Sequence, residues 1–228
     1  SLNLKNKKDL SILKKLVLIS DVFIQNFRPG TVQRMGISYS KLKKINSKTQ
    51  VSVDIKYPGE LSSQVYEKAM RNNEKVAIAL GYNFGMIHSE YIVTTENEIY
   101  LVESANRGGG CYTSEIIVPS VSGIDILSEY INNVLGFKMQ KKSIPVQKNE
   151  VILKFFTFKE GKINSIDGLE MLKKDKSILK YRIMVNSGDE IKPVSNDANR
   201  HGFVIVRSDT KVRSRADSII KKINVKYD

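Results

Sequence analysis

The stretch HSEYIVTTENEIYLVESANRGGG, residues 88–110, restricts the fold more than any other part of the chain. Aliphatic or aromatic residues recur at every second or third position, which predicts strands over 86–94 and 98–104. Yet Glu90 and Glu103 sit inside these runs, and carboxylates are rarely buried without a partner. A hairpin with Glu96 and Asn97 at its tip sets Thr95 opposite Glu98, and the same register sets Glu90 opposite Glu103. Opposed residues of an antiparallel pair share a face, with Cβ atoms about 4.5–5.5 Å apart. The register puts Tyr91, Val93, Tyr100 and Val102 on the other face as a packed core, and leaves Ile92 and Leu101 beside the glutamates. A pairing shifted by one or more residues gives a different object, an edge hairpin with both glutamates in water. Spacing alone leaves both arrangements open.

In the opposed arrangement two like charges repel, and a hard divalent cation removes the conflict. Mg²⁺ takes carboxylate oxygens, keeps waters, and draws its remaining ligands from substrate phosphates. The loop NRGGG, which follows the second strand, offers flexible backbone amides, and Arg107 offers a fork-shaped anion binder. A glycine triplet by itself equally describes a turn.

Elsewhere the pattern is mixed helix and strand. Residues 8–20 carry a helical apolar stripe, DVFIQNF reads as a short strand before the turn RPG, and YSKLKKINS begins another helix with Ser40 as its cap. VSVDIKY reads as a strand. LSSQVYEKAMRNNEKVAIAL reads as a long helix with Val65, Met70, Val76, Ala77 and Leu80 as its apolar face, closed by Gly81. SGIDILSEYINNVLG is a further helix ended by glycine. After the linker FKMQKKSIPVQKN, residues 151–228 read as short strands and turns with helices near 168–173 and 213–223.

A net charge of +13 points to anionic ligands. The lysines are dispersed, and no RNA-binding signature or zinc-finger Cys/His pairing is present, so nucleic acid is not expected; a small phosphate-bearing ligand would use the same field, and the charge does not choose among anions. There is no run of 18 apolar residues and no secretory signal pattern at the start. A single cysteine, Cys111, fits a reducing cytoplasm.

The run LGYNFGMIHSEYIVTTENEIYLVESANRGGG resembles the ATP-grasp ligases, and the likeness continues through SGIDI. FFTFKEGKINSIDGLE, SGDEIKP and RHGFVIVRS resemble the closing module of carboxylate–amine ligases related to biotin carboxylase and carbamoyl-phosphate synthetase. The resemblance spans roughly residues 51–228. It implies that Glu90 and Glu103 hold Mg²⁺ at the ATP phosphates, and that Arg107 is catalytic, holding the acyl phosphate or the substrate carboxylate. Many members carry Asn two residues after the second glutamate. Here that position is Ala105, and Asn106 follows one later, which puts Asn106 as a ligand in doubt; His88 is read as a supporting residue. The upstream lysines and glycine-rich loop that such enzymes use on ATP are not found, so a partner chain or a homo-oligomer is expected to complete the site.

The segment LKKLVLISDVFIQNFRPGTVQRMGISYSKLKKINSK resembles the class III CoA-transferases over residues 4–48. That resemblance implies CoA contacts at Asn26, Arg28 and Arg34. The family's catalytic aspartate lies well downstream of the loop and has no counterpart here, Asp54 being too close.

The fold expected is α+β: an ATP-grasp-type antiparallel sheet with helices packed on one side and a small β-rich carboxyl-terminal module. The expected divisions are a CoA-transferase-like segment over 1–50, a partial ATP-grasp catalytic subdomain over 51–138, and a C-terminal α/β module over 139–228. The expected activity is that of an ATP- and Mg²⁺-dependent ligase joining a small carboxylate to an amine. The alternatives are a CoA-binding transferase fragment and a non-catalytic basic protein that binds anions or nucleic acid.

Overall fold

The computed structural model describes residues 3–18, 52, 54–137, 149–194 and 199–228. The chain divides into two units, residues 1–51 and 52–228. In the first, helix α1 (Lys7–Leu18) begins at Asn6, whose Oδ1 accepts from the Lys8 N–H at 2.9 Å. The strand, turn and helix expected over residues 21–48, with Asn26, Arg28 and Arg34, lie outside the described residues.

The second unit is built on a four-stranded antiparallel sheet. Its strands are β1 (Asp54–Tyr57), β4 (Glu150–Phe155), β8 (Gly202–Ser208) and β6 (Ile178–Ile183), paired in that spatial order. β4 and β8 are the central pair, and they are near-continuous apolar runs because both of their faces are covered. Ile152, Val204 and Val206 point to one face, where they pack on α5 (Leu169–Lys174) through Leu172 and on α6 (Val212–Ile220) through Val212, Ala216 and Ile219. Val151, Leu153, Phe203 and Ile205 point to the other face and pack on Ile117 and Val121. The sheet is thus covered on both sides, not one, because the segment after the glycine loop folds back over it. That segment is a single π turn, Thr113–Ile117, running into α3 (Val118–Ser122).

A second, three-stranded sheet has β5 (Gly161–Asp167) between β7 (Glu190–Ile191) and β9 (Asn224–Tyr227). The remaining elements are α2 (Ser63–Ala79), the hairpin β2 (His88–Val93) and β3 (Ile99–Ala105), and α4 (Ile126–Val134). Ser62 caps α2 by accepting from the Val65 N–H, and the helix closes at Leu80 before Gly81 in the left-handed region, φ 70°. Its buried side is marked by Val65; Met70 and Leu80, expected on that side, are exposed. The sequence spacing admitted them to the stripe, but the helix is covered over a narrower arc. Asp125 caps α4 by accepting from both the N–H and the hydroxyl of Ser128, and Gly136, φ 84°, ends it. Among the described residues no helix is long and apolar enough to cross a membrane.

His201, buried just before β8, has both ring nitrogens engaged. Nδ1 accepts from the Phe158 N–H at 2.9 Å, and Nε2, 3.2 Å from the Lys192 carbonyl, must carry the proton. It stacks on the Phe158 ring and serves the fold.

Helix α6 has a capping device supplied from outside the helix. Lys211 precedes it in the left-handed region without a side-chain cap, and Glu150 Oε2 accepts from the Val212 N–H at 3.1 Å instead. Glu150 also pairs with Lys56 on β1 at 3.1 Å, and Lys56 reaches Glu60 at 2.9 Å. The Glu150 carboxyl is held below its ordinary value, chiefly by the Val212 N–H, against desolvation and with help from Lys56. A lowered folded value means this stabilisation is full above about pH 4.5, the ordinary glutamate value, and is lost as pH falls through the folded one. Glu150→Gln should therefore cost about 1 kcal/mol at neutral pH, as cap losses do, and should flatten the decline of stability below pH 4.5. Urea titrations of both proteins across pH 3–7 check this: parallel pH curves would refute the capping role.

Candidate active site

The hairpin turns on Thr95, Glu96 and Asn97, one residue more than expected. Asn97 takes the left-handed conformation, φ 62°, which Asn tolerates better than most residues. Thr94 closes the loop: its N–H donates to the Glu98 carbonyl at 2.9 Å, and its hydroxyl oxygen accepts from the N–H groups of Glu96 and Glu98. The extra loop residue slips the tip of the hairpin by one, so Val93 faces Ile99, Ile92 faces Tyr100 and Tyr91 faces Leu101. A β-bulge then skips Val102, and beyond it Glu90 faces Glu103, Ser89 faces Ser104 and His88 faces Ala105. Two offsets cancel, and the opposed glutamates survive.

The slip corrects the expected core of the hairpin. Ile99 is buried, whereas Tyr100 is 59% exposed and joins Ile92 on the open face with the glutamates. Leu101, expected beside the glutamates, is opposed instead to Tyr91. One step along from the acidic pair, the Ser89 and Ser104 hydroxyls lie 2.9 Å apart on the opposite face.

Glu90 and Glu103 are each about half exposed, 56% and 49% at the side chain. Glu90 Oε1 lies 3.4 Å from His88 Nε2. Glu103 Oε1 lies 3.5 Å from Arg107 Nη2, and the other arm of that guanidinium donates to the Gly108 carbonyl at 2.8 Å. An ion pair this long and this exposed contributes little on its own. Arg107 is held loosely and can leave Glu103 for a stronger anion. Asn106 lies against Gly85: its Oδ1 is 2.9 Å from where a Cβ on that glycine would sit.

The glycine loop is shaped by close approach. A Cβ on Gly108 would come within 2.6 Å of Ser114 Oγ, and one on Gly109 within 2.9 Å of His88 Nδ1 and 3.0 Å of Thr113 Cβ. The backbone at Gly109 therefore lies against the histidine ring whose other nitrogen faces Glu90. Gly110 meets nothing. After it, Cys111 and Tyr112 are both left-handed, φ 53° and 58°, a strained pair of about 1–3 kcal/mol each that is held by the π turn following it. Cys111 is exposed.

Whether the donor set fits Mg²⁺ turns on its size and hardness. Among the described residues no group of three or more His, Cys, Asp or Glu could hold a metal ion. That rules out a cage of these side chains within the described region. Two opposed carboxylates on an open face suit a hard cation that fills its octahedron with water and phosphate oxygen. The residues fit. The structure brings together Glu90, Glu103 and Arg107, the residues the sequence pointed to; nothing in the sequence indicated the way His88 is wedged between Glu90 and Gly109, which only the loop geometry reveals.

The comparisons with known proteins divide the chain in two. Residues 154–228 match the family model described as L-amino acid ligase C-terminal domain 2, and residues 1–51 match CoA-transferase family III. The formyl-CoA:oxalate CoA-transferase of Afipia carboxidovorans is 34% identical over 88 residues, covering 38% of this chain and 21% of the relative. Among solved structures, the L-amino acid ligase from Bacillus licheniformis superposes with a TM-score of 0.67 at 18% identity, over 78% of this chain and 45% of that one. Phosphoribosylglycinamide synthetase from Anaerococcus prevotii gives 0.66 at 23% identity, over 79% and 48%. The chain spans about a fifth of the length of that curated relative and less than half of each of these two structures.

The loop geometry generates a prediction. Gly109→Ala should cost about 1–3 kcal/mol, because the methyl group meets the His88 ring and Thr113, whereas Gly110→Ala should stay within about 0.5 kcal/mol. Thermal unfolding of the two variants side by side reads the difference; equal effects would contradict this packing.

The described part of residues 52–228 shares its fold, α+β with antiparallel sheets, with parts of the two ligase and synthetase structures, and the chain ahead of it resembles CoA-transferase family III.

Proposed function

We propose that this chain carries the metal- and phosphate-handling part of an ATP- and Mg²⁺-dependent carbon–nitrogen ligase, which activates a small carboxylate as an acyl phosphate for attack by an amine. The observation that carries the reading is Glu90 opposite Glu103 on an open hairpin face, with Arg107 beside them. Mg²⁺ held by the two carboxylates would supply Lewis-acid stabilisation of charge on the phosphate oxygens.

The chain's own residues do the rest. β2 and β3 bring Glu90 and Glu103 to one face, each with oxygens open to solvent. The Arg107 guanidinium holds the anionic group of the carboxylate substrate as two parallel N–H donors, exchanging its loose contact with Glu103 for that anion. His88, backed by Gly109, is a positioning residue for the Glu90 carboxylate. In this reading residues 51–138 form the partial catalytic subdomain and 139–228 the C-terminal module. In this reading the remainder of the ATP site lies outside residues 1–228, a partner chain or second copy being one source of it, and the protein works in the cytoplasm.

A second reading is favoured by the match of residues 1–51 to CoA-transferase family III. In it Asn26, Arg28 and Arg34 bind CoA, and the chain is part of a CoA-handling protein. Calorimetry with Mg·ATP, CoA and a nucleic-acid oligomer separates the readings. The ligase reading expects Mg·ATP to bind, and Glu90→Gln with Glu103→Gln to weaken it at least about tenfold and remove its Mg²⁺ dependence. Binding that keeps its strength and its Mg²⁺ dependence in the double variant would sink the assignment. Binding of CoA alone would favour the second reading.

A further inference from the structure

Helix α4 presents its apolar side outward. Leu127, Tyr130, Ile131, Val134 and the cap residue Leu135 stand at i, i+3, i+4, i+7 and i+8, a stripe that ordinarily faces a core. Here none of the helix is buried. The flank turned toward Met86 is a different one: Ile126, Glu129 and Asn133, which line with Met86 an apolar pocket of about 140 Å³. The open patch extends beyond the stripe. Phe84 packs on Tyr130, ring centroids 5.7 Å apart, and Phe137 follows the glycine that ends the helix. Phe84, Tyr130, Ile131, Val134, Leu135 and Phe137 are each 37–66% exposed.

Charge narrows what can cover this face. The chain has a net charge of +13 and 37 lysines and arginines in 228 residues, yet residues 108–137 contain neither. Two copies of so basic a chain repel each other. An apolar face free of cations is where a second copy can approach without setting lysine against lysine.

The area is sufficient. At roughly 200 Å² for a large side chain, the six residues leave about 600 Å² open on one copy. A pair would remove about 1,200 Å² in all, above the limit of about 1,000 Å² that a specific interface clears. A helix stripe is also complementary to itself: a two-fold axis through Ile131 sets two α4 helices antiparallel, with the same residues on both sides.

We propose that the α4 face is the interface of a homodimer, in which a second copy of this chain covers Tyr130, Ile131, Val134 and Leu135. This interface is independent of the ligase reading above.

Sedimentation velocity of the full chain from about 1 to about 100 µM tests it, in about 0.15 M salt, where exposed charges are screened beyond about 8 Å. Monomer and dimer are expected and nothing larger, because a two-fold contact closes on itself. Raising the salt to about 0.5 M should strengthen an apolar pairing that net charge opposes; a pairing that salt weakens is ionic and would overturn this face. Ile131→Lys and Leu135→Lys each put like charges on both sides of the axis and should weaken dimerisation at least about tenfold. Met70→Lys, at an exposed position of α2, should leave it unchanged. Both stripe positions are more than half exposed, so each variant should unfold at the parent's temperature, and one folded variant is enough to decide. A chain still monomeric at about 100 µM means that something other than a second copy covers α4, and the assignment fails. It fails equally if the dimer survives a folded stripe variant, because the pair then uses another face.

Discussion

Two carboxylates fixed opposite one another on paired strands are an electrostatic conflict, and the rest of the site is arranged around it. Neither Glu90 nor Glu103 is buried, so the conflict is tolerated by solvent and by one cationic or polar neighbour each, Arg107 at 3.5 Å and His88 at 3.4 Å. Both neighbours are tied to the same loop: Arg107 donates to the Gly108 carbonyl, and His88 lies against Gly109. The loop is in turn anchored by the π turn, whose Ile117 is buried against the central sheet. Packing of the π turn on the central sheet thus fixes the loop that stands beside the two exposed carboxylates. Exposed charges pair weakly, so the positions of the carboxylates come from the backbone and not from those contacts.

The hairpin shows which information a sequence carries and which it does not. Alternation of apolar residues was enough to locate both strands, and the acidic pair was legible because its opposed register is right at the end that matters. The tip was misread. A three-residue loop and a bulge at Val102 each shift the pairing by one, and residue types do not announce either, since Val102 looks like any other strand residue. The cost of the misreading fell on Tyr100, expected inside and found in water, and on Ile99, which took its place. Similarly, helical spacing admitted Met70 and Leu80 to the buried stripe of α2, because spacing reports a face but not the width of what covers it.

Long-range pairings were the least visible. β1 joins β4 across nearly a hundred residues, and Lys56 and Glu150 meet only because of that pairing. Glu150 then caps α6 from another strand, so the usual signal for a helix start, a Ser, Thr, Asp or Asn just before it, is missing: Lys211 stands there. The apolar runs at 151–153 and 203–206 suggested strands but not that two separate cores lie on their opposite faces. Both cores use residues from segments far apart in the chain. For the same reason the covering of the second face by residues 113–122, which anchors the glycine loop, had to be found in three dimensions.

The glycine loop has a different neighbour on each side. At Gly109 it lies against His88, which contacts Glu90; at Gly108 it lies against Met86, whose side chain walls an apolar pocket. A carboxylate–amine ligase has to bring together two unlike partners, a densely charged phosphate with its cation and an organic group that carries the specificity. In the proposed ligase reading those demands conflict within one cavity, because apolar walls weaken the solvation that a polyanion needs, and a strong field holds water on surfaces that an apolar group has to cover. Separate walls would resolve this. Arg107 sits at the boundary, one residue from the Asn106 that faces Gly85 and one from the Gly108 that faces Met86. A loop without side chains at 108 and 109 keeps the acidic pair and the apolar pocket close to each other while leaving each its own chemistry.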